Sequence, residues 1–188
     1  MTFEILTTER LVLRKLSPET FAFVYANYSD NELMAFLGLS NAEQLAVEKN
    51  KFQKGLSTFN KSFLYFQIVD KKSEQIIGWC GYHTWYLDHR RAEIGYGLYF
   101  EEYKNSGIMS EALQAILAYG FNLMNLHRVE AMIGSTNIPS LKLAAKFGFK
   151  REGILRSHYY TNNRMEDSVV FSLLEEEWNS SLYSSPIK

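Results

Sequence analysis

The sequence is poor in cysteine and proline and carries almost no net charge. Its 188 residues include one cysteine and three prolines, and the formal net charge is −1. A single cysteine, Cys80, excludes an internal disulfide and fits a reducing compartment. A charge near zero gives no support to a nucleic-acid-binding protein, which usually carries a basic face, so no direct nucleic-acid partner is expected.

Long apolar runs and metal-ligand patterns are missing as well. No run of about 18 apolar residues occurs, so we expect neither a membrane span nor a membrane partner. Residues 1–6 lack the basic and apolar regions of a signal peptide. The four histidines have no metal-ligand spacing and no cysteine pair joins them, so no metal is expected. Together these absences predict a cytoplasmic protein.

The length and composition predict a single domain. Hydrophobic residues make up 46% of the chain and charged residues 22%, which is ordinary for a globular protein. We expect one domain over residues 1–178, followed by a poorly ordered tail at 179–188. The 12 tyrosines and 3 tryptophans are numerous enough to line a ligand cleft as well as a core.

Apolar periodicity predicts a mixed α/β fold. Strand-like patterns occupy residues 11–16, 62–69, 75–82, 91–98, 127–133, about 153–160 and 164–174. Helices are expected from residue 18, capped by Ser17, and over about 41–55, 110–126 and 140–147, with Gly148 ending the last. This order is typical of a central sheet with helices on both faces.

A polar loop that runs into an amphipathic helix, residues 102–112, is the most informative stretch. It contains one glycine, Gly107, and the helix that follows repeats apolar residues on one face. Such a junction directs several backbone N–H groups and the positive end of a helix dipole toward one point. We therefore expect a phosphate or diphosphate site there.

The strand that precedes this loop places Glu93, Gly95 and Gly97 on one face. Glycines inside a strand often mark a bulge or the close approach of another group. A slender ligand could lie against the bare face, and a bulge without a ligand is the alternative. The glycine-containing loop downstream favours the ligand.

Two better-known phosphate motifs are excluded. Residues 95–100 begin like G-x-G-x-x-G, but Phe100 stands where the third glycine belongs and no acidic ribose ligand follows in the expected unit. The chain also lacks G-x-x-x-x-G-K-[ST]. The expected phosphate site is therefore neither of the Rossmann nor of the Walker type.

The loop resembles that of the GNAT N-acetyltransferases. The family's phosphate loop reads R/Q-x-x-G-x-G/A, and residues 104–109 here read K-N-S-G-I-M. The central Gly107 is kept, whereas Lys104 and Met109 replace the residues at the two ends. Asn105 stands where the ribosomal-protein (Rim-type) N-terminal acetyltransferases commonly carry a further glycine.

Other motifs resemble this ribosomal-protein branch in the same order. They are T-E-R-L-V-L-R at 8–14, G-I-M-S-E-A at 107–112, Asn137 and Ser140 ahead of Gly148-Phe149, E-G-I-L-R at 152–156 and L-L-E-E-E-W at 173–178. The likeness spans about residues 7–178. It implies the GNAT fold, a mixed and mainly antiparallel central sheet flanked by helices on both faces.

The resemblance implies an acetyl-CoA-dependent N-acetyltransferase without a metal. The acceptor would be a primary amine. The likeness to the ribosomal-protein branch favours a protein N-terminal α-amine, such as that of a ribosomal protein. An α-amine of pKa near 8 is neutral in roughly a tenth of molecules at pH 7, so a weak base suffices. Acetyl-CoA would be held by Leu98, Tyr99, Lys104, Asn105, Ser106, Gly107, Ile108, Met109 and Asn137.

Glu93 and Ser140 are the candidate catalytic residues. Glu93 matches a position that serves as the base in some GNAT enzymes, and Ser140 matches a serine proposed as the acid for the leaving thiolate. The tyrosine that many members use as acid is replaced here by Ala144. The alternatives are that Glu93 pairs with Arg90 or Arg91, and that Ser140 only starts a helix.

Tyr82, His83 and Trp85 are expected to line the acceptor side, with plain packing as the alternative. Two other functions stay open. A polyamine or aminoglycoside acetyltransferase would use acidic residues such as Asp30, Glu32 and Glu43. A non-catalytic acyl-CoA-binding domain would explain the departures from the family loop. Pairing of the final hairpin between two copies is a candidate homodimer contact.

Overall fold

The computed structural model describes residues 3–53, 55, 60–161 and 163–178. The expected tail at 179–188, and Asn162 of the expected final turn, lie outside the described residues. The strands are β1 (Ile5–Thr7), β2 (Leu11–Leu16), β3 (Lys61–Asp70), β4 (Ile76–Tyr86), β5 (Arg91–Leu98), β6 (Arg128–Gly134), β7 (Lys150–Thr161) and β8 (Arg164–Leu174). The helices are α1 (Pro18–Asn27), α2 (Asp30–Leu37), α3 (Ala42–Gln53), α4 (Ile108–Asn122) and α5 (Ile138–Lys146).

The strands form one sheet in the order β1-β2-β3-β4-β5-β6-β8-β7. Neighbouring strands are antiparallel except for β5 and β6, which are parallel. The expected mixed, mainly antiparallel α/β fold is confirmed.

The parallel pair β5–β6 is short, and the sheet opens beyond it. Pairing joins residues 91–93 of β5 to residues 128–130 of β6 and ends with Glu93 opposite Glu130. Beyond that point β5 continues to Leu98 and β6 to Gly134, and the structure pairs no further described residues of these two strands. We call the point where the two strands part the strand fork. It gives access to the edge of β5 from one side of the molecule.

Helices cover both faces of the sheet, as expected. On one face the strands contribute buried residues such as Phe66, Cys80 and Ile94 to a large core that α4 and α5 complete. On the other face a smaller core forms under α1, α2 and α3 around Val24 and Leu33. Because strand side chains alternate, neighbouring residues of β3, β4 and β5 serve different faces.

Helix α2 and strand β1 were not expected from the sequence. Helix α2 has only eight residues, and its start depends on a capping box between Ser29 and Glu32. It ends at Gly38, which adopts a left-handed conformation with φ 71°. Strand β4 also continues past its expected end to Tyr86, through a bulge between Tyr82 and Thr84.

Helix α4 begins at Ile108, two residues earlier than expected, directly after Gly107. Helix α5 begins at Ile138, and Asn137 caps it by accepting a hydrogen bond from the Ser140 backbone N–H at 3.2 Å. Ser140 therefore lies in the first turn of α5. Both helix starts point toward the side on which the strand fork opens, as the lining of the cavity there shows.

Within the described residues, no helix is long and apolar enough to cross a membrane. That part of the chain also contains no group of three or more His, Cys, Asp or Glu residues placed to hold a metal ion. Cys80 is fully buried, and burial raises the pKa of its thiol. Its role is packing in the main core.

Replacing Gly120 in α4 by alanine tests the packing of the main core. A Cβ there would lie 2.1 Å from the Tyr82 hydroxyl oxygen. A glycine-to-alanine change inside a helix ordinarily stabilises by about 1 kcal/mol. Here we expect a net loss of about 1–3 kcal/mol in the free energy of unfolding, measured with denaturant, because the core is overpacked.

The matched control is Gly153→Ala, where the added Cβ would meet no atom within 4 Å. This control should leave the unfolding free energy within about 0.5 kcal/mol of the wild type. A Gly120→Ala variant that is more stable than the wild type would show that Tyr82 does not pack against α4 as described.

Candidate active site

A cavity of about 680 Å³ lies beyond the strand fork, between β5, the start of α4 and the start of α5. Seven of the nine residues expected to hold acetyl-CoA line it: Leu98, Lys104, Asn105, Gly107, Ile108, Met109 and Asn137. Ser140 also lines it. We call it the donor cavity. Its size is within the range of small-molecule sites in proteins.

The other two residues expected to hold acetyl-CoA point elsewhere. The Ser106 hydroxyl donates to the Tyr103 carbonyl oxygen at 2.5 Å. Tyr99 is exposed and lines cavities on the opposite side of β5. Its side follows from strand alternation, because Tyr99 continues the face of Gly95 and Gly97, whereas Leu98 faces the donor cavity.

The loop before α4 has the geometry expected for an anion site. Gly107 adopts φ 80°, and Asn105 also has a positive φ of 55°. The first N–H groups of α4 have no partner within the helix, and they open into the donor cavity together with the positive end of the helix dipole. These residues fit the diphosphate of acetyl-CoA.

The lysines beside this loop already have partners within the protein. Lys104 pairs with Glu101, and Lys146 donates to the Ser110 hydroxyl. Backbone N–H groups, which do not reorient, are therefore the fixed donors for a diphosphate in the donor cavity, while the lysine side chains can exchange partners.

A cluster of contacts behind the loop, which sequence reasoning missed, fixes the start of α4. The Glu111 carboxylate accepts from the Thr8 hydroxyl at 2.5 Å, from the Arg10 backbone N–H at 2.7 Å and from Arg10 Nε at 2.6 Å. Arg10 Nη1 also donates to the Ser106 carbonyl at 3.0 Å. We call these residues the Arg10–Glu111 clamp.

The clamp also keeps the Glu111 carboxylate ionised. These hydrogen bonds and the Arg10 charge lower the pKa of Glu111, although its partial burial acts in the opposite direction. The carboxylate is thus ionised in the first turn of α4, next to the expected diphosphate. The Arg10 guanidinium offsets a charge that would otherwise repel the ligand.

Tyr96 is a second site residue that the sequence did not reveal. It lines the donor cavity together with Ser140. Burial raises the pKa of the Tyr96 phenol, and a hydrogen-bond interaction with Ser140 opposes that rise. A hydroxyl pair from β5 and α5 therefore lies in the cavity, although position 144 holds alanine. Strand alternation places Tyr96 on the face opposite Glu93, so the sequence pattern did not indicate it as a site residue.

Glu93 lies at the strand fork itself, on the face of the sheet opposite Tyr96. Its carboxylate is 3.4 Å from His83 Nε2. Burial raises the pKa of Glu93, Glu130 raises it further, and His158 opposes the rise. The alternative pairing with Arg90 or Arg91 does not occur, because Arg91 binds Glu130 at 2.8 Å and Arg90 binds Glu175 at 3.1 Å.

His83 is the one residue of the expected acceptor set that faces Glu93. Burial lowers the pKa of its imidazole, so the ring is neutral near pH 7. A distance of 3.4 Å is longer than a hydrogen bond of good geometry. The pair is therefore a close contact between a neutral ring and a carboxyl group.

The expectation that Tyr82 lines the acceptor side is wrong. Tyr82 is fully buried in the main core and donates to the Ile116 carbonyl at 2.9 Å. Trp85 lies opposite Ala92 of β5, and like Tyr82 its side chain packs against the main core. Strand alternation puts His83 on the face opposite Tyr82, and the bulge after Tyr82 returns Trp85 to the Tyr82 face, which no sequence pattern showed.

The bare face expected at Gly95 and Gly97 is filled by protein side chains. A Cβ at Gly95 would lie 2.7 Å from His83 and 3.0 Å from Trp79. At Gly97 it would lie 3.3 Å from Trp79. A ligand must therefore reach β5 through the strand fork, along the strand edge, and not against this face.

Comparison with known proteins identifies the family. The Acetyltransferase (GNAT) domain model matches residues 10–150. The chain is 32% identical over 174 residues to the uncharacterized N-acetyltransferase YoaA of Bacillus subtilis, a match that covers 92% of this chain and 98% of YoaA. The chain therefore belongs to the GNAT acetyltransferase family and is an N-acetyltransferase.

Other relatives carry named substrates. The chain is 26% identical over 190 residues to the ribosomal protein uS5-alanine N-acetyltransferase of Escherichia coli, covering 92% of each. A mutant of the SpeG spermidine N-acetyltransferase from Vibrio cholerae aligns with a TM-score of 0.67 at 21% identity, covering 92% of this chain and 98% of that one. This second likeness shows the fold alone.

Variants of the Arg10–Glu111 clamp test how the donor site is built. Arg10→Met leaves the Glu111 charge unpaired beside the diphosphate, so we expect the Kd for coenzyme A, measured by calorimetry, to rise about tenfold, equivalent to about 1.4 kcal/mol. The double variant Arg10→Met/Glu111→Gln should recover most of that loss, because the repulsive charge is gone.

The matched control is the pair Arg164 and Glu166, which are 2.9 Å apart on β8. Arg164→Met should leave the Kd unchanged. If the double clamp variant binds coenzyme A as weakly as Arg10→Met does, the charge compensation at the loop is refuted.

Proposed function

We propose that this enzyme transfers the acetyl group of acetyl-CoA to the α-amine of a protein N-terminus by direct attack, with Glu93 as the base. The observation that carries the proposal is the place of Glu93. It is a half-buried carboxyl at the strand fork, next to the edge of β5 along which a thioester from the donor cavity would lie. Acetyl-CoA supplies the activated acyl group.

Deprotonation of the amine and stabilisation of the leaving sulfur take place on opposite sides of β5. Glu93 accepts the proton that the attacking ammonium must lose before its nitrogen bonds to the carbonyl carbon. As the carbon–sulfur bond breaks, Ser140 and Tyr96 donate hydrogen bonds to the leaving sulfur. Because the pKa of Glu93 is raised, it lies closer to the pKa of an α-amine, and proton transfer between the two groups is easier. An α-amine needs only a weak base.

Two acidic residues that would favour a polyamine are already engaged in the fold. Asp30 pairs with Lys49 at 2.6 Å, and Glu32 closes the capping box of α2. Because these two carboxylates already have partners, they leave little negative charge free to bind a polycation. This supports the N-terminal α-amine, and the relative that acts on ribosomal protein uS5 supports a ribosomal acceptor.

A cytoplasmic location and a homodimer also belong to the proposal. The one cysteine is buried as a free thiol, in keeping with a reducing compartment. The final hairpin exposes several apolar side chains, Ile154, Leu155, Tyr159, Tyr160 and Met165, which supports pairing between two copies.

Glu93→Gln tests the base. We expect kcat to fall about 10²- to 10⁴-fold while the Kd for coenzyme A changes less than twofold. In the wild type, the acidic limb of the kcat profile should lie above the ordinary glutamate range, because burial raises the pKa. That limb should vanish in the variant. Thiol release between pH 5 and 9 measures both.

The same variant has an expected effect on stability. A carboxyl whose folded pKa is raised costs free energy once it ionises, so stability is lost as pH rises through the folded pKa. Glu93→Gln should therefore have a Tm equal to or above that of the wild type at pH 7, with the difference shrinking below about pH 4. A variant that keeps its kcat and its acidic limb would refute the assignment of Glu93.

A further inference from the structure

A second open region lies on the face of the sheet opposite the main core, under α1, α2 and α3. A cavity of about 390 Å³ there is walled by aromatic rings, Phe21, Tyr25, Phe52, Phe63, Tyr65 and Trp79. A neighbouring cavity of about 620 Å³ shares Glu48, Trp79 and Tyr99 with it. We call the joined space the aromatic groove. It is separate from the donor cavity, with β5 between them.

The rings form a continuous wall. Tyr25 stacks on Phe52 with ring centroids 4.1 Å apart. Tyr65 contacts Phe63 at 5.2 Å and meets Trp79 edge-on at 5.4 Å. Rings held by neighbouring rings lose little freedom on binding, so this wall suits an apolar group that enters from solvent.

The groove ends at the proposed base. Trp79 and His83, which line it, are the side chains that cover Gly95 and Gly97 of β5. His83 is also the neighbour of Glu93 at 3.4 Å. A molecule bound in the groove therefore presents its inner end to Glu93, across β5 from the donor cavity.

The charges of the groove nearly cancel. Glu48 pairs with Lys51 at 2.6 Å, and both line the groove. His83 is neutral near pH 7, since burial lowers the pKa of its imidazole. Burial and then Glu48 raise the pKa of Tyr25 and Tyr65 to about 12, so both phenols are neutral. Glu93 is left as the carboxyl at the inner end, and within the described residues no lysine or arginine forms an ion pair with it.

This arrangement fits one positive charge joined to an apolar body. An ammonium at the inner end meets Glu93 and the ring faces, which attract a cation. Further positive charges along the groove would find only a carboxylate that Lys51 already neutralises. A polyamine would lose the hydration of its remaining charges without compensation.

Resting on the proposed acetyl transfer, we propose that the aromatic groove selects the acceptor: a primary amine with one positive charge on a large apolar body, as at a protein N-terminus whose first residue is Leu or Phe. The groove binds the first side chain against the aromatic wall. The α-amine then lies at the inner end of the groove, beside His83 and Glu93.

The test measures kcat/KM by thiol release for peptides that differ only in the first residue, Phe, Leu, Ala or Ser, and for spermidine. We expect Phe and Leu to exceed Ser by at least about tenfold, since each methylene in an apolar pocket contributes a comparable factor. Phe52→Ala should remove most of this preference by raising the peptide KM, with the KM for acetyl-CoA unchanged.

A second variant guards against a folding defect. Val47 lies on the exposed side of α3 at the groove, with half its surface in solvent. Val47→Trp should fill the groove and raise the peptide KM without disturbing a core. Leu123→Ala, which removes an exposed apolar side chain after the end of α4 and outside the groove, is the matched control and should change nothing.

The outcomes separate this inference from the proposed function. A preference for apolar first residues that both groove variants abolish supports the inference. Equal rates for all first residues, or a preference for spermidine, overturn it while acetyl transfer stands. Absence of thiol release with every amine overturns the proposed function, and the inference with it.

Discussion

The parting of β5 and β6 after Glu93 and Glu130 is the constraint on which the site depends. A continuous sheet would bury the edge of β5 in hydrogen bonds to β6. Because the pair opens, that edge can be reached from the donor cavity, and the last paired residue carries a carboxyl group. The same parting separates two environments, a hydroxyl pair on one side of β5 and the aromatic groove on the other. In the proposed reaction, the donor and the acceptor would therefore approach this one strand from opposite faces.

The donor end depends on charge placement as much as on shape. The start of α4 offers N–H groups and a helix dipole to an anion, yet the Glu111 carboxylate lies in that same first turn. Arg10 and Thr8, about a hundred residues earlier in the chain, hold and compensate it. The β1–β2 turn therefore supports the wall of the donor cavity although it lines no part of it. The Glu111 carboxylate, whose charge would repel a phosphate, thus fixes the loop before α4 through Arg10.

Local signals in the sequence predicted much of this. The glycine loop before an apolar helix was sufficient to predict where the donor cavity lies, and the paired glycines of β5 marked the close approach of other groups, which are protein side chains. What could not be predicted depends on contacts distant in sequence. A bulge after Tyr82 returns Trp85 to the Tyr82 face, away from the acceptor side. Trp79 fills the space beside Gly95, and Tyr96 meets Ser140 only when α5 packs beyond the fork.

The central claim is that the thioester lies at the strand fork, between Glu93 and the Tyr96–Ser140 pair. A crystal structure of the complex with coenzyme A tests it most directly. The account predicts the diphosphate within hydrogen-bonding distance of the first N–H groups of α4, the pantetheine arm along residues 95–98 and the sulfur at the fork. A diphosphate bound away from α4, or a sulfur that ends far from Glu93, would contradict it.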